Sequence, residues 1–151
     1  MDDQLLVYVY NVGVGDCIYL RVPDRDENGE VRQRHIVVDC GTLQPNEDER
    51  LLKLAMTHIA RLLPRDPATG RKRLDLLVVT HPHMDHIAGF GLESTARQWQ
   101  RKQVDRLWLS ALLDPDNDRA RRAREQVRAG NLALQALLAA DLHPALTVLA
   151  R

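Results

Sequence analysis

The chain has 151 residues, of which 44% are hydrophobic, so it is long enough to bury one apolar core. Its 21 basic and 21 acidic side chains cancel, and no overall charge draws it towards nucleic acid or anionic lipid. No segment approaches the about 20 apolar residues that cross a bilayer, and the N-terminus does not have the pattern of a signal peptide. We therefore expect one domain over residues 1–151 that resides in the cytoplasm and does not contact a membrane.

The first 40 residues predict a meander of three strands. Segments 4–12, 17–22 and 35–39 are rich in β-branched and aromatic residues, which favour strands. Pro23 is expected to close the second strand, and Asn28-Gly29 is typical of a two-residue hairpin turn.

This turn predicts a register for the hairpin. A two-residue turn pairs Glu27 with Glu30, and counting outward along an unbroken ladder places Cys17 opposite Cys40. The two thiols are then expected to be neighbours, and to be reduced in a cytoplasmic setting.

Helices and strands alternate in the rest of the chain, which is the order of an α/β fold. Apolar residues recur at three- and four-residue steps after Asn46, the expected N-cap, and predict an amphipathic helix that ends at Pro64. The later predicted elements are a strand at 74–80 covered on both faces, a helix at about 88–100, a strand at 104–110, a long helix from Asp114-Pro115-Asp116 to about Asp141, and a strand at 145–150.

A cluster of histidines follows the predicted strand at 74–80, at the end where open α/β sheets bind their ligands. His81 and His83 leave an extended backbone on the same side, and Asp85 and His86 lie at the turn into the next helix. Neutral imidazole and carboxylate suit Zn²⁺, and also Mn²⁺ or Fe²⁺. We therefore predict a metal site at these four residues, rather than a chance cluster of loop histidines. A bound metal lowers the pKa of water to about 7, which makes hydrolysis the natural reaction class.

The segment HPHMDHIAGF resembles the H-x-H-x-D-H signature of the metallo-β-lactamase superfamily. NVGVGDCIYL and HIVVDCG resemble the branch that includes the metallohydrolase domain of ComEC-type DNA-uptake proteins. The resemblance implies an αββα sandwich, of which this chain supplies roughly the first α/β half. It also implies two divalent metal ions, the first bound by His81 and His83 and the second by Asp85 and His86.

Further roles follow from the same resemblance. Asp85 would also handle a proton during catalysis, and Asp16 and Asp39 would brace the floor of the site. Alternatively, Asp16 and Asp39 only form turns together with the glycines beside them.

The family takes its remaining ligands from a second α/β half. After His86 this chain has one histidine, His143, which lies between a predicted helix and a predicted strand and is interpreted as a helix-terminal residue. The later acidic candidates are Asp114, Asp116, Asp118 and Asp141. We therefore expect the missing half to come from a partner chain or a longer protein. Without it, an apolar strand face would favour a homo-oligomer or aggregation.

Three functions are compatible with these patterns. The first is a metal-dependent phosphodiesterase acting on nucleic acid, with the arginines of segments 97–106 and 119–128 contacting phosphates or simply forming a solvated surface. The second is a lactone, thioester or lactam hydrolase with the same fold. The third is an inactive or regulatory interaction module.

The two tryptophans have different expected environments. Trp108 is expected in the core, whereas the sequence leaves two roles for Trp99, packing in the core or stacking on a base.

Overall fold

The computed structural model describes residues 4–111, 114 and 116–139. The chain divides into two units, Met1–Ser110 and Ala111–Arg151. None of the helices in the described part is long and apolar enough to span a membrane.

The first unit contains a mixed sheet of five strands whose spatial order follows the sequence. These strands are β1 (Leu6–Val9), β2 (Ile18–Arg25), β3 (Val31–Val38), β4 (Lys72–Val79) and β5 (Lys102–Leu109). β1, β2 and β3 pair antiparallel, whereas β3, β4 and β5 pair parallel. The parallel crossovers pass through α1 (Pro45–Leu62) and then through α2 (Met84–Gly91) and α3 (Glu93–Gln100). The α/β class predicted from the order of elements is therefore confirmed.

The core lies between one face of this sheet and α1. Tyr19 of β2 and Val37 of β3 are fully buried against Leu52, Met56 and Ile59 of the helix. These three helical residues recur at steps of three and four, which places them on one side of α1. The amphipathic pattern of the sequence thus sets the face that the helix buries.

The second strand differs from its prediction because it continues through Pro23 to Arg25. Pro23 lies opposite Gln33, in a part of β2 that β1 does not reach, since β1 pairs only as far as Arg21. Proline is tolerated where one edge of a strand has no partner.

The predicted two-residue hairpin turn is wrong. Arg25 pairs with Val31, so the connection contains residues 26–30, and Gly29 has a φ of +79°. Asp26 Oδ1 accepts hydrogen bonds from the amides of Asn28 and Glu30 at 2.9 and 3.0 Å, and such an aspartate stabilises a longer turn.

The longer turn shifts the register by one residue. Ile18 pairs with Val38, so Cys17 lies opposite position 39 instead of Cys40. The cysteines are nevertheless neighbours, as predicted. The structure forms no disulfide between them, and their reduced state stays a prediction. The hydrogen bond to Cys40, together with burial, raises the pKa of the Cys17 thiol.

Two helix boundaries also differ. α1 begins at Pro45 after Gln44, not after Asn46, because proline fits the first helical position, where its missing amide is not needed. The single helix predicted at 88–100 is two helices, separated at Leu92, whose ψ of 134° is extended.

Helix α4 (Asp118–Ala139) belongs to the second unit. The Ala120 amide donates to Asn117 Oδ1 at 3.1 Å, so Asn117 is its N-cap and the predicted start at Asp114 is too early. The predicted helix end near Asp141, His143 and the predicted strand at 145–150 lie outside the described residues.

The expected double covering of β4 and the burial of Trp108 are not observed in the described residues. Trp108 is 60% exposed on β5. Trp99, by contrast, packs against the core beside Phe90, with their ring centroids 4.9 Å apart.

Candidate metal centre

The parallel pairing of β3 and β4 brings two loops together at one edge of the sheet. Val38 pairs with Val78, so Asp39 and Thr80 follow neighbouring strand ends. The Thr80 amide donates to Asp39 Oδ1 at 2.8 Å, and the Thr80 hydroxyl donates to Asp39 Oδ2 at 2.6 Å. Asp39 is almost fully buried and has a φ of +55°, the left-handed region that non-glycine residues rarely adopt. Its carboxylate is therefore held in one place by tertiary structure.

The Asp39 carboxylate also orients His86, which lies in the first turn of α2. His86 Nδ1 lies 2.8 Å from Asp39 Oδ2 in a buried contact. This hydrogen bond assigns the proton to Nδ1 and leaves Nε2 as the free donor of an electron pair. A carboxylate behind a histidine is a frequent support of metal-binding imidazoles.

Thr80 extends the same support to His81. The Thr80 hydroxyl lies 3.1 Å from His81 Nδ1 and donates to Asp39, so its oxygen can accept a hydrogen bond from the N–H at that nitrogen. Both imidazoles are thereby tied to Asp39 at Nδ1, one directly and one through Thr80. Nothing in the sequence singles out Thr80 beyond its position immediately before His81.

The arrangement of donor atoms fits a divalent metal ion. His81, Asp85 and His86 each offer a ligand atom, and these atoms all lie within 4.8 Å of one another. His86 Nε2 and Asp85 Oδ2 face each other at 3.2 Å. Two ligands held at 2.0–2.1 Å from one tetrahedral zinc ion are about 3.3 Å apart. These three residues can therefore share one ion with little rearrangement. The resemblance instead implied His81 with His83 at the first ion and Asp85 with His86 at the second, and this division between two ions stays a prediction.

His83, the fourth predicted ligand, lies beside this group. Its imidazole is exposed and its ring centroid is 4.7 Å from that of His81, but it is not among the three residues that converge most closely. His83 precedes α2 with an extended backbone, which is the conformation expected from the sequence. Its role as a ligand stays a prediction.

Asp16 approaches the site from a different loop. Its carboxylate is 56% exposed, and Oδ2 lies 3.5 Å from His86 Nδ1. Asp16, Asp39 and His86 form a second close group of potential ligands. Because Nδ1 of His86 already bonds Asp39 at the shorter distance, we interpret this second group as the hydrogen-bonded floor of the site.

Comparison with known proteins agrees with the fold and the motif. The family model described as the metallo-beta-lactamase superfamily matches residues 29–128, which is more than half of the chain. The chain therefore belongs to the metallo-β-lactamase superfamily, as its H-x-H-x-D-H segment indicated. The order of strands and helices is consistent with part of that fold.

A solved structure, described as a long form RNase Z from yeast, is 19% identical over the match, with a TM-score of 0.37. The match covers 64% of this chain and 12% of that one, so the chain spans about an eighth of that protein's length. No curated protein matches the chain.

Proposed function

We propose that this chain is a metal-dependent hydrolase that cleaves phosphodiesters, with His81, His83, Asp85 and His86 as its metal ligands. The observation that carries the proposal is the 3.2 Å approach of His86 Nε2 to Asp85 Oδ2, with His81 within reach. Two groups that both carry lone pairs repel each other at this distance unless a proton or a cation lies between them. The Asp39 carboxylate behind His86 keeps Nε2 directed into the site.

Each residue has a defined task in this proposal. His81 and His86 bind through Nε2 because their Nδ1 atoms bond Thr80 and Asp39. Asp85 contributes a carboxylate oxygen and accepts or returns a proton during turnover. Zinc, manganese or iron held here, as one of two ions, would supply hydroxide from water at neutral pH.

The ligand set of the proposed centre is incomplete among the described residues. A catalytic zinc ion generally has three protein ligands, and two ions require more than the four residues named here. We propose that the remaining ligands come from a second α/β half, as a continuation of the chain or as a partner chain. Metal affinity and hydrolysis should then increase together when that half is present.

The phosphodiester bond is proposed on two grounds. The segments NVGVGDCIYL and HIVVDCG resemble the branch that contains DNA-uptake metallohydrolases. In addition, the first half of α4 carries exposed arginines, and a basic surface of this kind favours a polyanion; they are Arg119, Arg121, Arg122, Arg124 and Arg128. Two of them also have partners on the chain, since Arg121 pairs with Asp118 and Arg124 bonds the Asp114 carbonyl.

Metal content of the purified chain tests the centre. His81→Ala should remove most of the bound zinc, because each ligand contributes a bond to an incomplete site. His58→Gln is the matched control, since His58 lies on α1 and bonds the Tyr10 hydroxyl. Equal metal content in the wild type and His81→Ala would refute the assignment.

Hydrolysis assays test the bond type. The chain, alone and extended by any following half, is supplied with Zn²⁺ or Mn²⁺ and offered bis-p-nitrophenyl phosphate, a lactone, a thioester and a chromogenic β-lactam. We expect turnover of the phosphodiester, with a larger rate for the extended form. Turnover of another substrate class alone would replace the proposed bond type. Metal binding without any hydrolysis in both forms would favour a regulatory module.

A further inference from the structure

Two turns that supply no proposed metal ligand hold the first turn of α2 through its backbone. They are residues 13–16, the first glycine turn, and residues 39–43, the second glycine turn. The Asp16 amide donates to the Asp85 carbonyl at 2.9 Å. From the second glycine turn, the Cys40 amide donates to the His86 carbonyl at 2.8 Å and the Thr42 amide to the Met84 carbonyl at 3.1 Å. Three successive carbonyls of the helix are thus bonded to turns.

A fourth hydrogen bond runs in the opposite direction. In a regular α-helix the Gly89 amide donates to the carbonyl of Asp85, four residues earlier. Here the Gly89 amide donates to the Cys40 carbonyl at 2.8 Å. Cys40 therefore both donates to and accepts from α2, which fixes the helix against the strand end in two places.

The two glycine turns are also bonded to each other. The Gly41 amide donates to the Asp16 carbonyl at 3.0 Å, and the Leu43 amide donates to the Val14 carbonyl at 2.8 Å. The turns consequently form one backbone support under α2. The second glycine turn also contains Asp39, so a single segment fixes both the main chain and the imidazole of His86.

This close packing requires glycine at Gly15 and Gly41 of the two turns, and also at Gly89 of α2, where a Cβ atom would lie 2.7 Å from the Cys40 carbonyl oxygen. A Cβ atom at Gly41 would lie 2.5 Å from the Asp85 carbonyl carbon and 2.5 Å from the His86 nitrogen. A Cβ atom at Gly15 would lie 2.6 Å from the Asp85 carbonyl oxygen and would also meet the Gly41 carbonyl. Backbone atoms cannot rotate away as a flexible side chain can, so an added methyl group must displace the first turn of α2.

We propose that Gly15 and Gly41 are positioning residues that set the separation of the Asp85 and His86 ligand atoms before a metal ion binds. This inference rests on the proposed metal centre. The alternative role is structural only, in which the glycines allow α2 to pack and influence stability without affecting the ligands. Direct contact with the backbone of Asp85 and His86, the two residues whose ligand atoms lie 3.2 Å apart, favours positioning.

Hydrogen exchange on the metal-free wild type tests whether the support exists in advance. The amides of Asp16, Cys40 and Thr42 should exchange more slowly than the same residues in an unfolded peptide, by at least about tenfold. Exchange of all three at the unfolded rate would overturn the proposal, because a support formed only after metal binding cannot position the ligands. This measurement needs no variant and is therefore independent of folding defects.

Gly41→Ala and Gly15→Ala test the consequence for metal binding. Titration with Co²⁺, followed by its visible absorption, should show about 10- to 100-fold weaker binding and an altered spectrum at saturation. Gly91→Ala is the matched control, since a Cβ atom at that end of α2 meets nothing within 4 Å. Met56→Ala is the stability control, because it weakens the core without touching the site.

The outcomes separate this inference from the proposed function. Folded glycine variants with wild-type Co²⁺ affinity and spectrum would overturn the positioning role alone. A wild type that does not bind Co²⁺ would overturn the metal centre and the positioning role with it. Weaker binding in Met56→Ala equal to that in Gly41→Ala would reduce the glycines to a structural role.

Discussion

Two neighbouring rows of side chains cross the same sheet and differ in how deeply their central residues are buried. The inner row contains Tyr8, Tyr19, Val37, Leu77 and Leu107, and the outer row contains Val9, Ile18, Val38, Val78 and Trp108. Each outer residue directly follows or precedes an inner one, so the rows lie on opposite faces. Tyr19 and Val37 are fully buried under α1, whereas Val9 and Trp108 are 74% and 60% exposed. The cover of the inner row ends before β5, where Leu107 is 53% exposed.

The outer face also carries a charged network at its other end. Arg34 bonds Asp24 at 2.8 Å and Asp75 at 3.2 Å, and Arg73 bonds Asp105 at 2.6 Å. With Trp108 and other residues of this face, these groups line a shallow cavity of about 440 Å³. The difference between the faces teaches that apolar strand residues alone do not determine burial; a covering element does.

The largest expected change in stability comes from a side chain buried between α1 and the sheet. Met56→Ala should lower the free energy of unfolding by about 2–5 kcal/mol, because it removes a fully buried side chain and leaves a cavity. Leu54→Ala on the same helix is the control; it is 56% exposed and should change stability by less than about 0.5 kcal/mol. Urea unfolding measures both. Equal losses would mean that α1 does not bury the face seen here.

The sequence predicted the covered side better than the open one, for a local reason. The spacing of Leu52, Met56 and Ile59 defines one side of a helix without reference to any other element. The spacing of strand residues near Trp108 defines two faces but does not say which of them receives a cover. The prediction that both faces of β4 are covered failed for this reason.

The candidate site shows the same division. His81, His83, Asp85 and His86 lie within six consecutive residues, so their type and spacing are visible in the sequence. The contact of Asp39 with His86, 47 residues away, depends on the parallel pairing of β3 with β4. Likewise, the Asn28-Gly29 turn was mispredicted because the side chain of Asp26 favours a longer connection.

The next effect concerns the charged network of the outer face. Asp75→Asn should lower the free energy of unfolding by about 1–3 kcal/mol. The reason is that this partly buried carboxylate accepts hydrogen bonds from Arg34 and, at 2.9 Å, from the His35 amide. Asp24→Asn should lower the free energy of unfolding by less than about 1 kcal/mol, since the Arg34–Asp24 pair is exposed to solvent. Urea unfolding at low and high salt checks the order. A larger loss of stability in Asp24→Asn than in Asp75→Asn would show that a covering element excludes water from the charged end of the outer face.

A pH dependence is expected from the inner face. His35 is buried and its Nδ1 lies 2.7 Å from the Tyr19 hydroxyl. Burial lowers the pKa of His35, opposed by Asp75 and aided by Arg21 and Lys72. The unfolded chain therefore binds this proton more readily, so stability is complete above about pH 6.5 and falls as the pH drops towards the lower folded value.

Urea unfolding at pH 7.5 and pH 5 measures this loss in the wild type and in two variants. His35→Gln should lose less stability than the wild type between the two values, since it has no proton to bind. Tyr19→Phe should keep the wild-type dependence, because His35 stays buried. An unchanged dependence in His35→Gln would assign the acid sensitivity to other groups.

The smallest effect on stability is expected from Trp108. Trp108→Thr should change the free energy of unfolding by no more than about 0.5 kcal/mol, because the indole is mostly exposed and threonine suits a strand. Trp99→Phe should lower the free energy of unfolding by more than Trp108→Thr does. Trp99 packs on Phe90, and the Lys102 ammonium lies 4.8 Å from the centroid of its ring.

The same residue should have its main effect on association. A large apolar side chain on a sheet face that the described residues leave uncovered favours contact with a second copy or a partner. With Trp99 replaced by phenylalanine, iodide should quench Trp108 fluorescence strongly at low protein concentration and weakly at high concentration, and sedimentation should show dimers that Trp108→Thr lacks. Trp108 shielded at every concentration would contradict the open face, because it would mean that residues of the same chain cover the outer row in solution.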